Sequence, residues 1–199
     1  MSRIRANTIT NKAATGAPTF SNGAVVTGVC TATSFAGSGA ALTGISAGLF
    51  SSYAIIADVK ANNTHGSSSG FGSNWTKRDL NTEITDPDGI VSINNNQFTL
   101  QAGTYFIESQ SIIHRGNMSQ SRLYNATDSS VVEYGMSVHC SDHNSGNVLS
   151  PVFTRVTIGS AKAFEMQSRV TNSDTENGGL ANNFGNIQIF TIIKIFKEN

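Results

Sequence analysis

The sequence predicts an all-β sandwich preceded by an extended N-terminal segment, and three observations carry that expectation. From Tyr53 onward apolar residues recur at every second position in short runs, no stretch holds a 3.6-residue period, and turn residues separate the runs. Charged residues make up only 13% of the 199, against about 25% in an average soluble protein. A chain of this length suits one domain of about 150 residues with an appendage. Its 13 basic and 13 acidic side chains cancel, so it lacks the electrostatic footprint of a nucleic-acid binder or a membrane-surface protein.

The appendage is residues 1–48 and the head is 49–199. ATGAPTFSNGAVVTGVCTATSFAGSGAALTGIS is rich in Gly, Ala, Thr and Ser, and cannot by itself offset an ordering cost of about 1–2 kcal/mol per residue. Val25, Thr27, Val29, Thr31, Thr33 and Phe35 nevertheless alternate with strand period. Copies of itself or a partner are expected to hold this segment; the alternative is an arm packed on its own domain.

In the head, strands are expected over 53–60, 75–82, 90–94, 97–101, 104–114, 120–125, 130–138, 150–158, 162–170 and 186–197. Many short strands with polar turns imply a sandwich or barrel. Val152, Thr154, Val156 and Ile158 share a face, Gly159-Ser160 offers a turn, and Phe164, Met166 and Val170 share the next face, which reads as a half-wet hairpin of an outer sheet. The last run is apolar on both sides, with Ile187, Ile189, Ile193 and Ile195 on one and Phe190, Ile192 and Phe196 on the other. Such a strand must be covered twice. Either a neighbouring subunit covers the second face, or the strand is central within a monomer.

Cys30 and Cys140 lie far apart in unlike contexts and are expected as free thiols. MSRIRANTIT leads into polar sequence rather than an apolar signal core, and IQIFTIIKIF is far shorter than the roughly 20 residues a membrane helix needs. The expectation is a soluble protein made in a cytoplasm, without membrane insertion.

Phe98-Thr99-Leu100 followed by Ala102-Gly103-Thr104-Tyr105-Phe106-Ile107 resembles the Phe-Thr, Gly-x-Tyr-x-Phe signature of C1q and tumour-necrosis-factor-like jelly rolls. MSRIRANTITNKAATGAPTFSNG, GVCTATSFAGSGAALTGIS and RDLNTEITDPDGIVSINNNQFTLQAGTYFIE with SRLYNATDSSVV resemble small fibre proteins of tailed bacteriophages, particularly those infecting cyanobacteria. Loops 61–74 and 139–149 fall outside that likeness. The resemblance implies a homotrimer of C1q/TNF-like jelly rolls on an N-terminal stem, located in the virion and assembled in the host cytoplasm. It implies that Arg3, Ile4, Arg5, Ile9 and Phe20 belong to the virion anchor. Phe98, Tyr105, Ile107, Ile189, Phe190 and Ile192 are the candidates for the core or the trimer interface.

Chemistry is sparse. His139-Cys140-Ser141-Asp142-His143 gathers ligand-capable side chains, yet no second pair follows at a zinc-ribbon spacing. Cys140 beside His143 could be a thiolate nucleophile, but no glycine elbow or oxyanion element accompanies it. Asp86-Pro87-Asp88-Gly89 suits a β-turn better than a calcium loop, since Pro presets φ and Gly tolerates positive φ. The four Asn-x-Ser/Thr sequences carry no weight in a chain this rich in Asn and Thr. No enzyme, cofactor or metal is expected. Binding groups are expected on end loops, namely His65, Phe71, His114, Arg115, Asn117, His139, Asp142, His143 and Asn144, with Trp75 either a stacking platform or a buried strand end. The leading expectation is a virion fibre whose N-terminus engages other virion proteins and whose head binds a host-surface glycan or protein. A capsid or baseplate decoration protein is the alternative, and an enzyme acting on surface polysaccharide the third.

Overall fold

The computed structural model describes residues 9, 11–13, 15–16, 20, 22–31, 48–67, 70–141 and 146–199. The chain divides into two compact units, Met1–Ile45 and Ser46–Asn199. Arg3, Ile4 and Arg5 of the anchor, and Asp142, His143 and Asn144 of the loop candidates, lie outside the described residues. Within the first unit, residues 22–31 form no strand, and Val25 and Val29 are 98% and 91% exposed. Ile9 and Phe20 are exposed as well.

The second unit consists of strands β1 (Phe50–Lys60), β2 (Thr76–Lys77), β3 (Thr82–Thr85), β4 (Val91–Asn94), β5 (Gln97–Leu100) and β6 (Gly103–His114), then β7 (Asn117–Asn125), β8 (Ser130–Cys140), β9 (Asn147–Leu149), β10 (Val152–Ile158), β11 (Lys162–Val170) and β12 (Gln188–Glu198). One antiparallel sheet runs β10-β6-β12-β1-β3 with β9 on β6; the other runs β4-β5-β11-β7-β8 with β2 on β11. From β5 onward the chain passes between sheets: β6 lies in the first, β7 and β8 in the second, β10 in the first, β11 in the second, β12 in the first. That wrapping is a jelly roll.

It corrects the expected hairpin. β10 pairs with β6, whereas β11 lies between β5 and β7, so Gly159-Ser160 carries the chain across the sandwich. Alternation alone is the same for a hairpin and a crossing. The strand expected over 75–82 is likewise two strands in different sheets, β2 and β3, because Arg78 between them turns into the interior. The turn at Asp86 forms as expected, its carboxylate accepting the N–H groups of Ile90 and Val91 with Gly89 at φ 63°.

The main core lies between the sheets, where Ala54, Ile56, Tyr105, Ile107, Ile193 and Ile195 of one face Phe98, Leu100, Leu123, Phe164 and Met166 of the other. Phe98 and Phe164 stack at 5.5 Å. Each such side chain contributes about 1.5–3 kcal/mol by leaving water. A second, smaller cluster of Phe71, Ile113, Cys140 and Val170 sits at the end where β1, β6, β8 and β11 finish. Residues 61–67, 70–75, 146 and 171–187 gather there and bond to one another or to the neighbouring strand ends, as in Asn63 N–H to Asn182 O and Gly66 N–H to Gly179 O. At the opposite end the chain enters β1, and Asn199 N–H donates to Leu49 O.

Arg78 is buried completely between the sheets. Its Nε donates to Thr191 Oγ1 at 2.6 Å, Nη1 to Ser168 Oγ at 3.3 Å, and Nη2 to the carbonyls of Ile112 and Gly178, both at 2.9 Å. Burial pushes its pKa down to about 10, which leaves it charged at neutral pH, helped by Asp58 and Asp79. Removing one member of a buried charged network typically costs about 3–5 kcal/mol. Arg78→Ala is therefore expected to lower unfolding free energy by about that amount in urea titration, and an unchanged midpoint would contradict the assignment.

Asp58 is also buried, and desolvation raises its pKa above the ordinary 3.8, opposed by Lys60, which approaches Oδ1 at 3.1 Å as an ion pair without hydrogen-bond geometry. The folded state then holds this proton more tightly than the unfolded chain. Its stabilising contribution is present below the ordinary value and lost as pH rises through the raised one. Asp58→Asn should remove that part of the pH dependence in melting curves taken between about pH 3 and 7; an unaltered curve would refute it.

Candidate functional site

The outward face of the β10-β6-β12-β1-β3 sheet is the most unusual surface of the head. Register places Tyr53, Ile55, Ala57 and Val59 of β1 beside Phe196, Lys194, Ile192 and Ile189 of β12. Phe106, Glu108 and Gln110 of β6 continue the same rows, and Phe153 and Arg155 of β10 extend them. Phe50, Phe106 and Phe196 cluster with centroids 5.2–6.5 Å apart. Exposure reaches 45% at Tyr53 and Phe153, 50% at Leu149, 69% at Ile187 and 81% at Phe184. Phe184, Ile187 and Ile189 edge a hollow of about 290 Å³ next to Ile112 and Asn147.

The charges on this face are paired with one another. Lys194 meets Glu108 at 3.2 Å, and Arg155 holds Glu198 through two 2.7 Å bonds. The latter pair raises the Arg155 pKa and lowers that of Glu198, each chiefly through the hydrogen bond.

β12 is apolar on both sides, but its faces are not divided as the alternation suggests. The register shifts where Asp58 faces Thr191 and Val59 faces Ile189, leaving Phe190 as an extra residue. A bulge reverses the pleat parity beyond it. Phe190 is therefore buried with Ile193 and Ile195, and its ring packs where a Cβ on Gly179 (φ 134°) would intrude. Ile187 and Ile189 instead join Ile192 and Phe196 on the outward face. Of the candidates for core or interface, Phe98, Tyr105, Ile107 and Phe190 are interior, while Ile189 is 41% exposed and Ile192 half-buried on the outward face.

The loop candidates separate at the far end of the sandwich. Phe71 is fully buried, the anchor of the small core, and Arg78 lies 5.0 Å from its ring, so its placement as an exposed contact is corrected. His114 is only 1% exposed: it ends β6, and its Nδ1 bonds Asn147 Oδ1 at 2.9 Å. The surrounding polar sequence makes both look like loop groups, but Phe71 packs with Ile113, Cys140 and Val170 and His114 ends β6 inside. Arg115 and Asn117, at φ 50° and 57°, flank Gly116 in the tight turn between β6 and β7 and are half-buried. Arg115 lies 3.7 Å from Asp174 and 3.8 Å from Glu176. His65 is exposed and accepts from Ala181 N–H. His139 is exposed on β8, opposite Met118, rather than in a loop.

Cys140 is buried and its sulfur accepts from Gly116 N–H at 3.2 Å, which makes it a core thiol rather than a nucleophile. Both cysteines are free. No group of three metal-ligating side chains occurs among the described residues. Two residues that matter escaped sequence reasoning. Arg78 gave no signal, and Asn177, which is fully buried and donates to His114 O at 2.8 Å, sits in a stretch that reads as a solvated loop.

Neither a family model nor a curated protein matches this chain. Among solved structures it is similar to murine APRIL, at 9% identity and a TM-score of 0.46 over 73% of this chain and 98% of that one. It is similar to the globular domain of zebrafish complement 1qA protein, at 11% identity and 0.44 over 73% and 95%. The strand order itself carries the fold: this is an all-β, antiparallel jelly-roll sandwich.

Proposed function

We propose that the protein is a trimeric virion fibre of a tailed bacteriophage, held to the particle through residues 1–48 and presenting the jelly roll to the host surface. The observation that carries the assembly part is the apolar outward face of the β10-β6-β12-β1-β3 sheet. Contiguous apolar patches above a few hundred Å² are rare on monomers. Because its charges are already paired within the chain, like faces can meet without repulsion, which suits copies of this chain better than a charged partner. The exposed valines 25 and 29 add a second apolar surface with no cover in the single chain.

The recognition part rests on placement. Residues 48–50 enter the sandwich at one end, and His65, Arg115, Asn117 and His139 lie at or near the other. A stem attached at the first end would direct the second away from the particle, and three weak sites per head gain by multivalency. The resemblance of the N-terminal segments to phage fibres supports the virion part.

Light scattering of the full chain is expected to give three times 21.0 kDa. Ile189→Glu with Ile192→Glu should release a folded monomer, and a monomeric native chain would overturn the assembly. Purified protein should adsorb to host cells, with His139→Ala or Arg115→Ala weakening adsorption. Adsorption that persists in particles lacking the protein would instead favour a decoration role.

A further inference from the structure

The outward face of the other sheet carries a different chemistry. Trp75, just before β2, is half-buried, and two guanidiniums share its indole, Arg122 of β7 at 4.3 Å and Arg169 of β11 at 4.7 Å from the ring centroid. Arg122 also lies 4.8 Å from the ring of Tyr124, and Tyr134 is 5.9 Å from Trp75. Two like charges beside one ring repel, and the indole face offsets only part of that. An ion pair would be the ordinary remedy, yet neither guanidinium has one among the described residues.

A neighbouring carboxylate on β11 is committed elsewhere. Glu165 accepts from Gln97 at 2.7 Å and Gln167 at 2.6 Å and lies 3.8 Å from Lys77, while Arg122 reaches only the neutral Oε1 of Gln167 through its Nε. Among the described residues, the outer nitrogens of Arg122 and the fork of Arg169 have no hydrogen-bond or ion-pair acceptor. Both guanidiniums already lie against one ring, so less rotamer freedom is lost when an anion docks. Arg169 also borders a groove of about 590 Å³ with Met118, Gln120, Val138 and His139, where apolar and hydrogen-bonding groups alternate. That mixture suits a pyranose ring, whose CH face packs on Met118 while hydroxyls meet Gln120 and His139.

We infer that Trp75, Arg122, Arg169 and the adjoining groove form a binding site for a carboxylate-bearing oligosaccharide, with the carboxylate docking on the guanidinium pair. The inference rests on the proposed recognition role of the head and names its ligand class. It adds the side of the outer sheet to the end loops as a recognising surface.

The chain's single tryptophan is the site's own reporter. Titration of the full-length protein with tri-galacturonate, followed by Trp fluorescence, is expected to saturate. The methyl ester of the same trisaccharide, equal in shape but uncharged, should bind far more weakly. Arg122→Gln with Arg169→Gln should reduce affinity about tenfold or more, as loss of a charge-assisted pair does, while Arg169→Lys retains part of it. Thermal melting of each variant separates lost binding from lost folding. Equal binding of acid and ester, or no response by folded native protein, overturns the site. If the native protein adsorbs to host cells and the folded double variant does so equally, the ligand class fails while the recognition role stands. If the acid trisaccharide binds but host cells are not adsorbed, the site stands and the recognition role fails.

Discussion

A single buried guanidinium sets the terms for the rest of this sandwich. Arg78 bonds Thr191 of β12 and the carbonyl of Ile112 in one sheet, Ser168 of β11 in the other, and the carbonyl of Gly178 in the long connection before β12. A buried cation must satisfy its donors, so these four elements are held in one arrangement. The break between β2 and β3 follows directly, since the chain leaves one sheet for the other at the residue whose side chain cannot remain in either surface.

Arg78 stands within a polar layer. Ser121 and Ser168 bond at 2.8 Å, Ser150 Oγ accepts from Ser121 N–H and donates to Met136 O, and Ser109, Ser111 and Asp58 are buried on the facing strands. This layer separates the large apolar core from the small one formed by Phe71, Ile113, Cys140 and Val170. The small core lets the end connections pack on something of their own. Substitutions in them can be absorbed there without disturbing the main core.

Alternation made most strands legible. Lys162–Val170 is the strand read from the sequence, and Val91–Asn94, Gln97–Leu100 and Gly103–His114 lie within a residue of it. Alternation reports which side chains share a face, not which strand lies alongside. The crossing from β10 to β11 was therefore invisible, and so was the bulge at Phe190, which inverts parity without any Gly or Pro to mark it. Burial of lone polar or aromatic residues was equally hidden. His114 reads as a loop group and Arg78 gives no signal, because their partners, Asn147 for the first and Thr191, Ser168 and the carbonyls of Ile112 and Gly178 for the second, lie in distant segments and leave no trace in composition. Trp75 could be placed at a strand edge, but the two arginines beside it come from β7 and β11, 47 and 94 positions later in the chain.

The two outward faces divide the physical work. One is apolar, with its charges neutralised within the chain, and gains most by excluding water against a like surface. The other keeps two cations beside an aromatic ring that have no ion-pair partner among the described residues, an arrangement that an anion would favour. Burying that second face against a copy of itself would bring four guanidiniums together, whereas the first face brings together mainly apolar side chains and closed ion pairs. Self-association on the first sheet and ligand binding on the second are thus compatible, and exchanging the roles is not. The jelly roll makes this possible because its two sheets turn their backs to each other across one shared core.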